Sequence, residues 1–184
     1  MKVALAEYGA GNVRSVALAF ERLGAKLVDD VAGADLAVLP GVGAARTALA
    51  GLRASGHDDL LRARVEQGRP VLGICLGLQL ALAESEEDGG VSGLALLAGR
   101  AVRLREGRVP RMGWSTVSPA GETFYFAHSY ACETPHATAW AEGVVAEARA
   151  GSFVGCQFHP EKSGAAGARY LARILAEVEC LSLA

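Results

Sequence analysis

The segment Pro70-Val71-Leu72-Gly73-Ile74-Cys75-Leu76-Gly77-Leu78-Gln79 constrains this 184-residue chain more than any other. An apolar run that reads as a buried strand passes without a visible loop into Leu78-Gln79-Leu80-Ala81-Leu82, which reads as a helix. One cysteine stands between two glycines at the junction. The glycines allow a sharp, strained turn that lifts the side chain above a sheet, and the following helix points its free amides at whatever that side chain attacks. Cys75 is therefore the first candidate for chemistry.

The rest of the chain suits an elbow of this kind. Short β-rich runs alternate with longer amphipathic stretches, the pattern of a mostly parallel sheet covered by helices on both faces. Lys2 to Ala6 reads as the first strand. Val13, Val16, Ala17, Phe20 and Leu23 recur at helical spacing after Asn12, a residue suited to an N-cap, and Gly24 stops that helix. Leu36 to Leu39 is a buried strand closed by Pro40, Val71 to Ile74 is another, and a helix is expected from about Leu76 to Glu84. The acidic cluster Glu84 to Asp88 reads as its solvated end. Beyond it, Arg100 to Arg105, Trp114 to Val117, Thr123 to Ala127 and Ala139 to Glu142 look like strands without helices between them, an antiparallel or mixed addition to the sheet. Phe153 to Phe158 is a further strand, and Ala168, Leu171, Ile174, Leu175 and Val178 mark a last helix.

Composition narrows the classes of function. About half of the residues are hydrophobic, enough for one α/β domain over residues 1–184 with a sizeable core. The net charge of -2 comes from interspersed acids and bases, which leaves no electrostatic footprint for nucleic acid or an anionic membrane. The apolar start is too short for a signal peptide, and no run approaches the roughly 20 residues that span a bilayer. A cytoplasmic, soluble protein is expected. Cys75, Cys132, Cys156 and Cys180 lie far apart with no CxxC pair, so neither a metal site nor a disulfide framework is suggested. Without elbow glycines, the last three read as packing or surface residues, and His57 and His136 as turn residues.

A cysteine attacks as its thiolate, and an unperturbed thiol with a pKa of about 8.5 is only a few per cent ionised near pH 7. A histidine held by a carboxylate supplies what is missing, first as base and later as acid to a leaving amine. His159 and Glu161 fit. They close a strand, two residues of extended chain put both side chains on one side, and Pro160 ends the pairing there.

Two loops, Tyr8-Gly9-Ala10-Gly11-Asn12 and Pro40-Gly41-Val42-Gly43, have glycines at dinucleotide-loop spacing. The third glycine position holds Arg14 in one and Arg46 in the other, and no Walker lysine follows, so a nucleotide reading is weak. The second loop has a better use: its amides, with that of Leu76, can stabilise negative charge developing at the elbow.

Gly-x-Cys-x-Gly with a distant His-x-Glu resembles the class I glutamine amidotransferases, over essentially the whole chain. Within that family, Pro40 to Gly43, Leu72 to Gln79, Met112-Gly113-Trp114, Phe124 to Tyr130 and Gln157 to Ser163 are similar, in this order, to the glutaminase subunits of imidazole glycerol phosphate synthases. The resemblance implies a three-layer α/β fold. It also implies glutamine as substrate, no cofactor, and a Cys75-His159-Glu161 triad that forms and hydrolyses a γ-glutamyl thioester. It places Val42 and Leu76 at the oxyanion site, and Gly43, Gln79, Ser129 and Tyr130 around the bound glutamine. It further implies a (βα)8-barrel cyclase subunit as partner in a heterodimer of histidine biosynthesis, with Asn12, Met112, Trp114 and Lys162 as contact candidates. Core packing is the alternative reading of Met112 and Trp114. One departure stands out: the family usually has asparagine after Met-Gly-Trp, where this chain has Ser115.

Two other readings remain open. One is the glutaminase of pyridoxal phosphate synthase, whose oxyanion loop typically reads Gly-Gly-Glu-Ser where this chain has Gly41-Val42-Gly43-Ala44. The other is a non-catalytic redox sensor or chaperone on the same scaffold, reporting oxidation of the elbow cysteine.

Overall fold

The computed structural model describes residues 1–9 and 13–182. Asn12, expected to cap a helix and to meet a partner, lies outside the described residues. Strands β1 (Lys2–Leu5), β2 (Lys26–Leu27), β3 (Leu36–Leu39) and β4 (Val71–Ile74) alternate with helices α1 (Val13–Arg22), α2 (Ala45–Ser55), α3 (His57–Glu66) and α4 (Leu76–Ala81). There follow β5 (Leu82–Ser85), β6 (Val91–Ser92), β7 (Leu97–Arg103), β8 (Arg111–Val117), β9 (Glu122–His128) and β10 (Tyr130–Glu133). The chain continues through β11 (Ala137–Ala141), β12 (Val144–Ala150), β13 (Phe153–Cys156) and α5 (Gly164–Ser182).

The main sheet runs β11-β12-β13-β4-β3-β1-β2. Neighbours from β13 to β2 are parallel, and β12 and β11 join one edge antiparallel. Strands β3 and β4 are buried at every residue, because helices cover both faces, and this is why they read as unbroken apolar runs. Their side chains alternate between two cores. Leu36, Val38, Leu72 and Ile74 pack with Phe20, Leu171 and Ile174, whereas Ala37, Leu39 and Val71 pack with Leu49, Leu52 and Leu61. The period of two in the strands thus assigns one face to α1 and α5 and the other to α2 and α3.

The expected addition in the second half is divided. Only β11 and β12 extend the main sheet; β10-β7-β5-β6 form a separate mixed sheet and β8-β9 a hairpin. The helix expected to reach Glu84 stops at Ala81, since Leu82 turns extended (φ -67, ψ 167) and enters β5 beside β6 and β7. The acidic cluster is not a solvated helix end either. Glu87 Oε2 accepts the Ala45 amide at 3.0 Å and Asp88 Oδ2 accepts the Arg46 amide at 3.2 Å. These carboxylates satisfy the first turn of α2, whose own N-cap residue, Ala44, has no side-chain oxygen to do so.

A buried arginine braces the scaffold. Arg64 on α3 is 2% exposed and donates to the carbonyls of Val31, Ala32, Ala34, Asp35 and Pro70 at 2.9–3.3 Å. It ties the segment entering β3 to the residue entering β4. Burial lowers its pKa to about 10, so the guanidinium remains charged at neutral pH.

Candidate active site

Three adjacent parallel strands, β13, β4 and β3, end at one place, and the loops leaving their C-terminal ends build the site. At the end of β4, Cys75 adopts φ 51, ψ -106, a region that side-chain-bearing residues seldom occupy. Its amide donates to the Cys156 carbonyl at 2.7 Å, and its carbonyl accepts the Leu78 and Gln79 amides that begin α4. The turn closes only because glycine flanks it. A Cβ on Gly77 would collide with the Leu39 carbonyl oxygen, and one on Gly41 with the Ile74 carbonyl oxygen and the Gly77 amide. Elbow and neighbouring loop therefore pack backbone against backbone.

At the end of β13, His159 Nδ1 lies 2.8 Å from Glu161 Oε1, both side chains being almost entirely buried. Strand β13 ends at Cys156, and Pro160–Lys162 form a 3-10 turn, so the pair meets through a turn and not, as expected, along an extended strand. The turn is clamped: Ser163 Oγ donates to the His159 carbonyl at 2.7 Å and accepts the Tyr125 amide at 3.0 Å. Burial pushes the His159 pKa down, but hydrogen bonds and charge from Cys75 and Glu161 outweigh it and raise the value to about 9. A raised folded-state value stabilises the fold in full below about 6.5, the unperturbed histidine value. That contribution diminishes as pH rises and is lost through about 9. Denaturant titrations between pH 6 and 10 are expected to show stability falling across this window, with a shallower fall in His159→Asn. An equal slope in both proteins refutes the assignment.

A cavity of about 240 Å³ has Cys75 and His159 in its wall, a size suited to an amino acid rather than a larger ligand. Val42, Gly43, Leu76, Gln79, Ser129, Tyr130 and Lys162 also line it. The sequence-predicted residues of the Pro40–Gly43 loop, the elbow and the Ser129-Tyr130 segment thus converge, whereas no described residue of the Tyr8 loop lines the cavity. Larger surface grooves exist; one, of about 810 Å³, is bordered by arginines and glutamates of the β7-β8 region and has no cysteine or histidine in its lining. Met112 and Trp114 lie elsewhere, on β8, and at 65% and 58% exposed they are not core residues. Ser115, at the position of the departure, is buried between Arg111 and Glu142, accepting from Arg111 at 3.0 Å and donating to Glu142 Oε1 at 2.8 Å. Cys132 and Cys156 are buried, Cys180 is exposed, and all four cysteines are free.

The two expected oxyanion donors differ. Leu76 is the first residue of α4, so its amide has no helical carbonyl to reach. The Val42 amide donates to Tyr8 Oη at 3.2 Å. That phenol oxygen also lies 2.9 Å from the Pro40 carbonyl and 3.2 Å from the Val42 carbonyl, and burial raises its pKa to about 12. A neutral hydroxyl therefore holds the loop.

Sequence reading missed Tyr8, His128 and Gln157. His128 lines the cavity with Nδ1 2.8 Å from the Tyr130 carbonyl. Burial lowers its pKa to about 4, leaving a neutral ring whose Nε2 is buried with no hydrogen-bond partner among the described residues. Gln157 Nε2 lies 3.5 Å from Cys75 Sγ. The alternation used for His159 and Glu161, carried back one step, lands on Gln157; for Tyr8 and His128 no comparable signal exists. Among the described residues, no group of three or more His, Cys, Asp or Glu is placed to hold a metal ion, and no helix is long and apolar enough to cross a membrane.

A parallel sheet presenting a cysteine on a strained elbow beside a carboxylate-held histidine is the framework of a class I amidotransferase. The sequence profile of the family described as glutamine amidotransferase class-I matches residues 13–178, and the chain belongs to that family. Among curated relatives it is similar to the imidazole glycerol phosphate synthase subunit HisH of Symbiobacterium thermophilum, 43% identical over 93% of this chain and 92% of that one. It is also similar to the subunit of the same name from Methanothermobacter thermautotrophicus, 40% identical over 90% and 93%. Among solved structures, one described as a glutamine amidotransferase matches with a TM-score of 0.79 at 23% identity over 97% of this chain and 98% of that one. PurLQS from Thermotoga maritima matches at 0.73 and 18% identity over 96% and 98%. These two share the fold.

Proposed function

We infer that this chain hydrolyses the side-chain amide of glutamine and passes the ammonia on as the glutaminase subunit of an imidazole glycerol phosphate synthase in histidine biosynthesis. The observation that carries the reading is the cavity walled by Cys75 and by His159, the imidazole that Glu161 holds, in a chain about 40% identical over nine-tenths of its length to subunits of that name.

In this reading Glu161 accepts from His159 Nδ1, which turns Nε2 toward the nucleophile. Cys75 passes its proton to His159 Nε2 and its Sγ bonds to the amide carbon, and the electron pair of the carbonyl moves onto oxygen, where the Leu76 and Val42 amides receive it. Collapse breaks the C–N bond, and the imidazolium gives its proton to the leaving ammonia. Water, deprotonated by His159, then adds to the thioester, the C–S bond breaks with its pair returning to sulfur, and glutamate departs. Gly43, Gln79, Ser129 and Tyr130 surround the bound glutamine. The triad, these contacts and the single-domain organisation over residues 1–184 belong to the same proposal.

Free ammonia at neutral pH is protonated and lost as a nucleophile, so a shielded handover to a synthase is part of the design. The proposed partner is a (βα)8-barrel cyclase, docking in the cytoplasm on the exposed Met112 and Trp114, with Lys162 and Asn12 as further contact candidates. Exposed methionine and tryptophan are residue types enriched at interfaces.

The test is glutamate release by the chain alone, with the barrel cyclase, and with cyclase plus its ribulosyl ligand. Since Val42 is held by Tyr8, the chain alone is expected to be slow, and the loaded complex faster by about a hundredfold or more, the worth of one oxyanion donor. Tyr8→Phe is expected to raise the rate of the chain alone and narrow that ratio. No response to the cyclase, or a response only to a different synthase, refutes the reading.

A further inference from the structure

We propose that Gln157 is a further catalytic residue: its side-chain amide donates a hydrogen bond to the Cys75 sulfur, stabilising negative charge there and aiming the sulfur into the cavity. The proposal rests on the reading of Cys75 as nucleophile.

The direction of this bond follows from a chain of partners. The Tyr130 carbonyl can only accept, so the end of Gln79 lying 2.8 Å from it is the NH2 group. The same nitrogen lies 3.0 Å from the Gln157 side chain, which must meet a donor with its oxygen. The Cys132 thiol, 3.8 Å from that oxygen, donates to it as well. With its oxygen thus committed, Gln157 turns its nitrogen to Cys75 Sγ at 3.5 Å. Flipping Gln157 would set N–H against N–H, and flipping Gln79 would set oxygen against the Tyr130 carbonyl and the Gln157 oxygen, inside the protein, where Gln157 is 0% exposed.

The arrangement matches the needs of a thiolate. A protonated sulfur needs an acceptor, and the Ala127 carbonyl lies 3.8 Å from it. A charged sulfur needs a donor, and Gln157 is one. Donation to a charged acceptor is roughly twice as strong as to a neutral one, and stronger still out of water. The amide therefore favours the form of Cys75 that attacks and, when the thioester breaks, the form that leaves. Packing gives no reason for it. Methionine has nearly the same length, and a buried amide costs more to desolvate than a thioether.

Gln157→Met and Gln157→Glu in the full chain test this. Iodoacetamide alkylation of Cys75, located by mass spectrometry and followed from pH 6 to 10, reads the sulfur without glutamine. Gln157→Met is expected to slow alkylation near pH 7 by about tenfold, the size of one hydrogen bond to a charged group. Its pH profile is expected to move toward alkaline pH and to meet that of the parent at the upper end. Gln157→Glu, placing a second negative charge beside the sulfur, is expected to slow it further. In the complex with the barrel cyclase, kcat for glutamate release is expected to fall more than KM rises. If Gln157→Met does not fold by circular dichroism, Gln79→Met decides the question: by freeing the amide to turn, it is expected to displace the profile in the same direction by less. An unmoved alkylation profile, with or without lost glutaminase activity, overturns the proposal. A displaced profile in a chain whose parent releases no glutamate with the cyclase sinks the glutaminase reading, and with it the catalytic role of Gln157, and leaves the bond from Gln157 to a reactive sulfur standing.

Discussion

Cys75→Ala is expected to abolish glutamine hydrolysis in a chain that still folds. Alanine retains the Cβ and faces the same strained φ of 51°, and the amide bond to the Cys156 carbonyl is untouched, so the elbow stays closed. Removing a side chain of sulfhydryl size leaves a space opening on an existing cavity, and the stability change is expected to stay within about 1 kcal/mol. The reaction, by contrast, loses the atom that bonds to substrate. Removing the nucleophile of such a triad costs about 10⁴-fold or more in rate. The check is glutamate release in the presence of the cyclase, beside thermal melts of both proteins. Robust hydrolysis by the variant would falsify the assignment of Cys75.

The largest effect on stability is expected at Arg64, far from the chemistry. Arg64→Met keeps the apolar stem in place and removes the guanidinium that serves five backbone carbonyls. Two effects oppose each other: burying a charge is costly, and burial does pull the group's pKa down to about 10. The Ala32 and Ala34 carbonyls keep a bond from Arg69 and that of Pro70 one from the Ala37 amide, but each carbonyl left unsatisfied where water cannot reach costs about 1–3 kcal/mol. A net loss of about 3–5 kcal/mol is expected, comparable to breaking a buried ion pair. Urea titrations measure it as a lower midpoint at unchanged slope. A loss under about 1 kcal/mol refutes the bracing role.

The parts of the fold legible in the sequence were those dictated by local pattern. Strands β3 and β4 announced themselves because burial on both faces demands apolar runs, and the Cys75 elbow because only glycine permits its backbone contacts. Leu78 to Leu82 was ambiguous by nature: a short apolar run suits helix or strand, and pairing with β7, distant in sequence, turned its end into β5. Glu87 and Asp88 looked like solvent-facing acids because the helix they cap begins some forty residues earlier in the chain. Arg64 was silent for the same reason, its five acceptors all being backbone atoms that leave no mark on residue identity. In the site, the His-x-Glu pattern pointed to His159 and Glu161, although a turn and not strand alternation joins them, whereas the grip of Tyr8 on Val42 is a contact between loops that no periodicity encodes.

The bond from the Cys75 amide to the Cys156 carbonyl has a mechanical consequence. It fastens the sulfur-bearing turn to the strand that, three residues on, delivers the imidazole, so any slippage of the sheet carries both together and leaves their spacing intact. In the proposed glutaminase, control over turnover then enters from the opposite wall, through the few backbone atoms between Pro40 and Gly43 that Tyr8 holds. The reactive pair can stay permanently assembled while the protein idles.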